Sequence, residues 1–257
     1  MIKFFRKIRQ NIIQENRFSK YLLYAIGEIV LVVIGILIAL QINNWNQSKQ
    51  EQELETNYLK GIKANLQDDI LELEQLFAKD TIKLDAFTYL IRTFNTEPIK
   101  PNRQAIIDNL YSASGYNWFE GNNVVFEDMK SSGRLNLIRS DSIKYPIQKY
   151  YRFFEEVIKQ ENLYNSFVEK YSDRNSQYFN VSSFTENKAL DRWNGHTGPP
   201  DISSIGSADF KRIKPQLVDN LSQIKDSRTH AHEVRKGLYQ KAKDLEKSID
   251  HYLQNQN

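Results

Sequence analysis

The sequence contains no cysteine, which excludes disulfides, thiol chemistry and any cysteine-ligated zinc site. Proline and glycine are scarce, 6 and 10 in 257 residues. From Trp45 to about Phe94 there is no proline and a single glycine, Gly61, so nothing there interrupts a long helix. No glycine-rich phosphate loop, nucleophile elbow or dinucleotide fingerprint occurs, and no alternating strand pattern. Charge of one sign is missing beyond the N-terminal flank. Lys3, Arg6, Lys7, Arg9, Arg17 and Lys20 precede residue 21 against Glu15 alone, and this flank accounts for the whole-chain charge of +3. The remainder is nearly neutral and makes no electrostatic case for nucleic acid.

What the chain does have is one long apolar run. Ile29 to Leu40 lacks any polar residue. Extended to Tyr21–Ile42 it is about 22 residues, or about 33 Å of helix, enough for a hydrocarbon core of about 30 Å. No small-x-small cleavage site follows, so the segment is expected to be an uncleaved transmembrane anchor. The basic flank places residues 1–20 in the cytoplasm and the C-terminal body outside, in the periplasm, with Tyr21, Tyr24 and Trp45 near the two interfaces. Residues 1–14 also mix basic and apolar side chains, a pattern that suits the anionic inner leaflet as well as a plain flank. Within the span, Gly27, Leu31, Gly35 and Ala39 recur every fourth residue with Glu28 beside them, a candidate helix–helix seam.

After the span, residues 43–58 are mostly polar and read as a stalk that prolongs the membrane helix. Residues 59–257 read as a helical bundle. Leu59, Leu66, Ile70, Leu73, Phe77, Leu84, Phe87, Ile91 and Phe94 form a heptad-like stripe broken only by Lys63 and Asp80. Pro98 and Pro101 end that helix. Short helices are expected over Gln104–Ser112 and Val124–Ser132, separated by a turn-rich connector whose Trp118 and Phe119 would plug the bundle end. Ser140 or Asp141 caps a helix running to about Tyr178, with Tyr145–Pro146 near its first turn. Its buried side would be Ile147, Tyr151, Phe154, Ile158, Tyr164, Val168 and Tyr171. Residues 180–206 form a long loop. Pro215 would open the last long helix, which continues to Leu253 on the stripe Leu217, Leu221, Ile224, Ala231, Leu238, Ala242, Leu245, Ile249 and Tyr252. The expectation is an all-α protein: a transmembrane helix continuing into a bundle of three long and two or three short helices.

Two blocks carry a resemblance. FSKYLLYAIGEIVLVVIGILIALQINNWN, residues 18–46, and VVFEDMKSSGRLNLI, residues 124–138, together with Tyr150–Tyr151, resemble a large family of uncharacterised single-pass membrane proteins of Bacteroidetes. That family is a domain of unknown function. The resemblance implies the topology and transfers no catalytic residue.

Chemistry-bearing residues are few. His230 and His232 lie about 200° apart on a helix, unlike the i, i+4 spacing of a zinc helix, and His230 with Glu233 would supply two ligands only. Trp193 and His196 in the 180–206 loop could contact a ligand or partner. The acidic pairs Asp68–Asp69 and Glu155–Glu156 read as solvated helix face. No enzyme activity, metal or cofactor is expected. The leading expectation is a membrane-anchored protein of protein–protein interaction or envelope organisation, bound to the bilayer and to itself or another envelope protein. The alternatives are a ligand-binding sensory bundle built from the aromatic helix and the 180–206 loop, and a proton-coupled partner subunit using Glu28.

Overall fold

The computed structural model describes residues 18–96, 102–113, 117–179, 205 and 207–255. Among these the ordered elements are helical and no strand occurs. Helix α1 spans Phe18–Asn95, α2 Arg103–Ala113, α3 Val124–Ser131, α4 Asp141–Phe179 and α5 Ala208–Gln254, with a 3-10 turn at Arg134–Leu137. Three long and two short helices therefore carry the all-α fold that the periodicity implied. The expected basic tail falls mostly on residues 1–17, which lie outside the described residues, as do Pro98, Pro101 and nearly all of the 180–206 loop.

Contacts divide the chain into a unit ending at Asn57 and a unit beginning at Tyr58. In the first, α1 exposes every large apolar side chain from Leu22 to Ile42. The polar turns that follow carry local bonds such as Gln47 Nε2 to Glu51 Oε1 at 3.0 Å.

The second unit buries two apolar clusters in succession along its helices. One gathers Leu59, Ile62, Leu66 and Leu73 of α1, Phe126 and Met129 of α3, Ile147, Tyr151 and Phe154 of α4, and Leu238, Leu245 and Ile249 of α5. The other joins Phe87, Leu90 and Phe94 of α1 to Ile106 and Leu110 of α2, Val168 of α4, and Phe210, Leu217 and Ile224 of α5. Each fully buried aliphatic or aromatic side chain stabilises by about 1.5–3 kcal/mol before ordering costs, so these stripes hold the bundle. The turn after α3 docks through a polar relay: Arg134 Nη1 donates to Tyr58 Oη at 2.7 Å, which donates to Asp128 Oδ2 at 2.8 Å.

Two expectations change. Pro215 is the eighth residue of α5, not its opening: Ser207 Oγ caps the helix by accepting from Phe210 N at 3.0 Å. Phe210 is fully buried and meets Phe94 edge-on at 5.6 Å. Burial of that first turn outweighs the hydrogen bond that proline removes. By contrast, α4 starts at Asp141 with Pro146 near its first turn, as the cap expected at Ser140 or Asp141 implied. Finally, only Phe119 plugs the core; the Trp118 ring stays about half exposed and donates its indole N–H to Glu120 Oε1 at 3.0 Å.

Candidate functional site

Where the two apolar clusters meet, the bundle buries charge. Asp80, on the α1 register of Leu59, Leu66, Leu73, Phe87 and Phe94, is 2% exposed. Glu161 occupies the corresponding register of α4 between Phe154 and Val168, and Arg228 and Arg235 sit between Leu221 and Ala242 on α5. All are buried. Because these positions repeat every seven residues, each charge points where its apolar neighbours point.

Arg235 is the hub. Its Nε and Nη2 donate to the two oxygens of Glu161 at 2.6 and 2.7 Å, a bidentate fork. Its Nη1 donates to Asp80 Oδ2 at 2.7 Å, and Nη2 also reaches the Asn117 carbonyl at 2.9 Å. His232 Nδ1 lies 3.2 Å from the same Asp80 oxygen, and the His232 ring meets Phe77 edge-on at 5.3 Å. Burial alone would lower the Arg235 pKa; the two carboxylates overcome it and hold the guanidinium above its ordinary value. Lys83, one turn along α1, is buried at the same level and is itself partnered. A cavity of about 10 Å³ bordered by Asn117, Tyr164, Arg228 and Arg235 has room for one water molecule. The buried Asn117 Nδ2, among its walls, has no hydrogen-bond partner among the described residues.

A second polar arrangement fastens the connector between α2 and α3 to α1. Glu72 Oε1 and Oε2 accept from the amides of Glu120 and Gly121 at 2.8 and 3.0 Å. Asp69 Oδ1 accepts from the Asn122 amide at 2.6 Å, and Asp69 Oδ2 from Tyr150 Oη at 2.6 Å. Asp68 Oδ2 accepts from Asn122 Nδ2 at 3.1 Å. Asp69 is fully buried while Asp68 is exposed, so of the acidic pair only Asp68 lies on the solvated face expected; the connector and α4 cover Asp69. Burial is the main cause that pushes the Asp69 carboxyl up to about 7, opposed by its bonds from Tyr150 and Asn122 and assisted by the charges of Glu72 and Asp68. Burial and the neighbouring Asp69 also raise Tyr150 and Tyr151 far above the usual phenol value.

The aromatic side of α4 is filled by its own chain. Phe126 stacks on Tyr151 at 4.1 Å, Tyr150 meets Tyr151 edge-on at 5.0 Å, and Phe119 meets Phe154 at 5.6 Å. A shallow groove of about 220 Å³ between α4 and α5 is bordered by Lys149, Tyr150, Lys241 and Asp244.

The residues singled out from sequence fall elsewhere. Gly27, Glu28, Leu31, Gly35 and Ala39 all lie on exposed helix in the first unit, and nothing comes within 4 Å of a side chain built on Gly27 or Gly35. Trp193 and His196 lie outside the described residues. His230 packs edge-on against Tyr164 at 5.7 Å, while Glu233 pairs with Lys236 at 2.9 Å. Among the described residues no group of three His, Asp or Glu side chains is arranged to hold a metal ion. The ionic layer was missed although its signal was present: Asp80 breaks an apolar stripe, and Arg228 and Arg235 occupy the one register of α5 whose other members are Leu221, Ala242 and Ile249.

The sequence matches the model of a family of unknown function, DUF6090, over residues 28–190. The match takes in Asp69, Asp80, Asn117 and Glu161, while His232 and Arg235 lie beyond it. No curated protein and no solved structure matches the chain.

Proposed function

Since the chain belongs to the DUF6090 family, whose description assigns no activity, we propose a role from its own geometry: a single-pass membrane anchor carrying a non-catalytic helical module for protein–protein interaction. The observation that carries this reading is the apolar stretch of α1. It is long and apolar enough to cross a membrane, and none of the qualifying window is buried. A core helix of similar composition would be covered by its own protein, so about twenty exposed apolar residues call for lipid as their solvent. The basic flank then sets the N-terminus in the cytoplasm and the bundle outside the inner membrane. The bundle interior supports interaction rather than ligand capture: the aromatic side of α4 is packed by the chain itself, and the cavity beside Arg235 has room for a water only. Partners in the membrane would meet the Gly27, Leu31, Gly35 and Ala39 stripe, which Glu28 borders.

The cysteine-free sequence makes the test direct. Single cysteines are introduced as Gln10→Cys and Lys247→Cys and probed with a membrane-impermeant maleimide after the outer envelope is opened. The reading expects Lys247→Cys to be labelled at once and Gln10→Cys only after the inner membrane is broken. Equal labelling of both in intact membranes sinks it. In-membrane cross-linking of wild type and Glu28→Gln then reads the partner: an unchanged cross-link pattern removes Glu28 from the seam.

A further inference from the structure

The connector Asn117–Asn123 is held at both ends by side-chain charge. Its first carbonyl accepts from Arg235 in the central ionic layer, and its later amides, at Glu120, Gly121 and Asn122, donate to Glu72 and Asp69 on α1. Between these ends Phe119 is inserted into the core, and Gly121, at φ +65°, lies directly beneath the Phe154 ring. Three carboxylates, Asp68, Asp69 and Glu72, thus converge on one short segment, and among the described residues none of them forms an ion pair. We propose that Asp69 is a proton-binding site that latches this connector: with the proton bound the connector is closed on α1, and with Asp69 ionised beside Asp68 and Glu72 it loosens. This inference concerns the bundle alone and stands apart from the membrane reading.

The chemistry of the closed state is consistent with a neutral acid. Protonated Asp69 keeps both bonds, because Oδ1 still accepts from the Asn122 amide while Oδ2 and Tyr150 Oη can exchange donor and acceptor roles. Losing the proton leaves a buried charge whose compensation is two hydrogen bonds and no cation. The groups that face it are accounted for on each element. α1 brings Asp68 and Glu72, both of the same sign; α4 brings Tyr150 and Tyr151; the connector brings the Asn122 amide. The basic groups of α4 and α5 near Tyr150 are Lys149 and Lys241, which border the shallow outer groove. Opening would withdraw Phe119 from Phe154 and pull on Asn117, so a proton lost at Asp69 is felt at Arg235.

The test uses the full chain in detergent. Hydrogen exchange of the Glu120, Gly121 and Asn122 amides is followed from pH 5.5 to 8.5 after correction for intrinsic exchange. In a Trp45→Phe/Trp193→Phe background, quenching of Trp118 is read in parallel. Wild type should lose protection by up to about tenfold per pH unit as pH rises towards its midpoint and level off above it, as expected for opening linked to release of one proton, with Trp118 more readily quenched. Asp69→Asn retains a donor–acceptor pair and should hold protection flat. Glu72→Gln removes a neighbouring negative charge that opposes ionisation of Asp69 and should move the midpoint to lower pH. Protection that ignores pH in wild type, or an unaltered midpoint in Asp69→Asn, overturns the proposal. Should Asp69→Asn fail to fold by circular dichroism, Glu72→Gln decides, and an unmoved midpoint overturns it.

Discussion

Replacing Arg235 by methionine preserves much of the side-chain volume and deletes the charge at the centre of the ionic layer. Four hydrogen bonds disappear, two to Glu161 and one each to Asp80 and the Asn117 carbonyl. Glu161 and Asp80 are left buried, with side chains 5% and 2% exposed. Removing one partner of a buried pair costs about 3–5 kcal/mol, chiefly because the remaining charge cannot be rehydrated. In a folded unit of this size, 1 kcal/mol moves Tm by roughly 2–4 °C, so Arg235→Met should lower it by about 6–20 °C. The assay is thermal unfolding of the full chain in detergent followed by far-ultraviolet circular dichroism. The decisive companion is the triple variant Asp80→Leu, Glu161→Leu, Arg235→Met. If stranded charge is the cause, replacing the whole layer by apolar side chains recovers most of the loss. A single variant within about 1 kcal/mol of wild type, or a triple variant no better than the single, would refute the reasoning.

Other outcomes follow from individual contacts. Burial pushes the Asp69 carboxyl up to about 7 in the fold from its ordinary 3.8, so the folded state holds its proton more tightly. Its contribution is complete below pH 3.8 and is lost as pH rises to about 7, by up to roughly 4 kcal/mol at 1.36 kcal/mol per unit. Denaturant titrations of Asp69→Asn should lose that slope; an identical slope would assign it to other groups. Gly121→Ala forces a Cβ to within 2.4 Å of Phe154 at a positive φ, whereas Gly133, at φ +69°, has nothing within 4 Å. Both substitutions should destabilise in chemical denaturation, Gly133→Ala by about 1 kcal/mol and Gly121→Ala by clearly more. Ser207→Ala removes the cap on Phe210 N and should cost about 1 kcal/mol, with hydrogen exchange quickening first in the opening turn of α5.

Much of the helical architecture was legible because it depends on local rules. The unbroken α1 follows from the absence of proline over residues 18–95, and the end of α3 from Gly133, whose φ of +69° suits a residue without Cβ. The α4 and α5 cores follow from period alone, with Ile147, Phe154, Leu217 and Leu238 buried where the stripe puts them. The proline rules misled at Pro215, since a local penalty of one missing hydrogen bond was outweighed by buried neighbours such as Phe210. The acid site was invisible for a different reason. Asp68 and Asp69 look alike along the chain, and only the returning connector, with the Asn122 amide and Tyr150 across from it, separates one into solvent and the other into the core.

The sequence by itself determined the fold class and the exceptional character of residues 21–42, because hydropathy and helical period are properties of neighbouring residues and need no knowledge of what lies opposite. Only the tertiary structure decided which charges are buried and with whom. Arg235, Glu161 and Asp80 are separated by more than seventy residues along the chain in either pairing. An ion pair is a statement about distance in space and exclusion of water, and neither is written in local sequence.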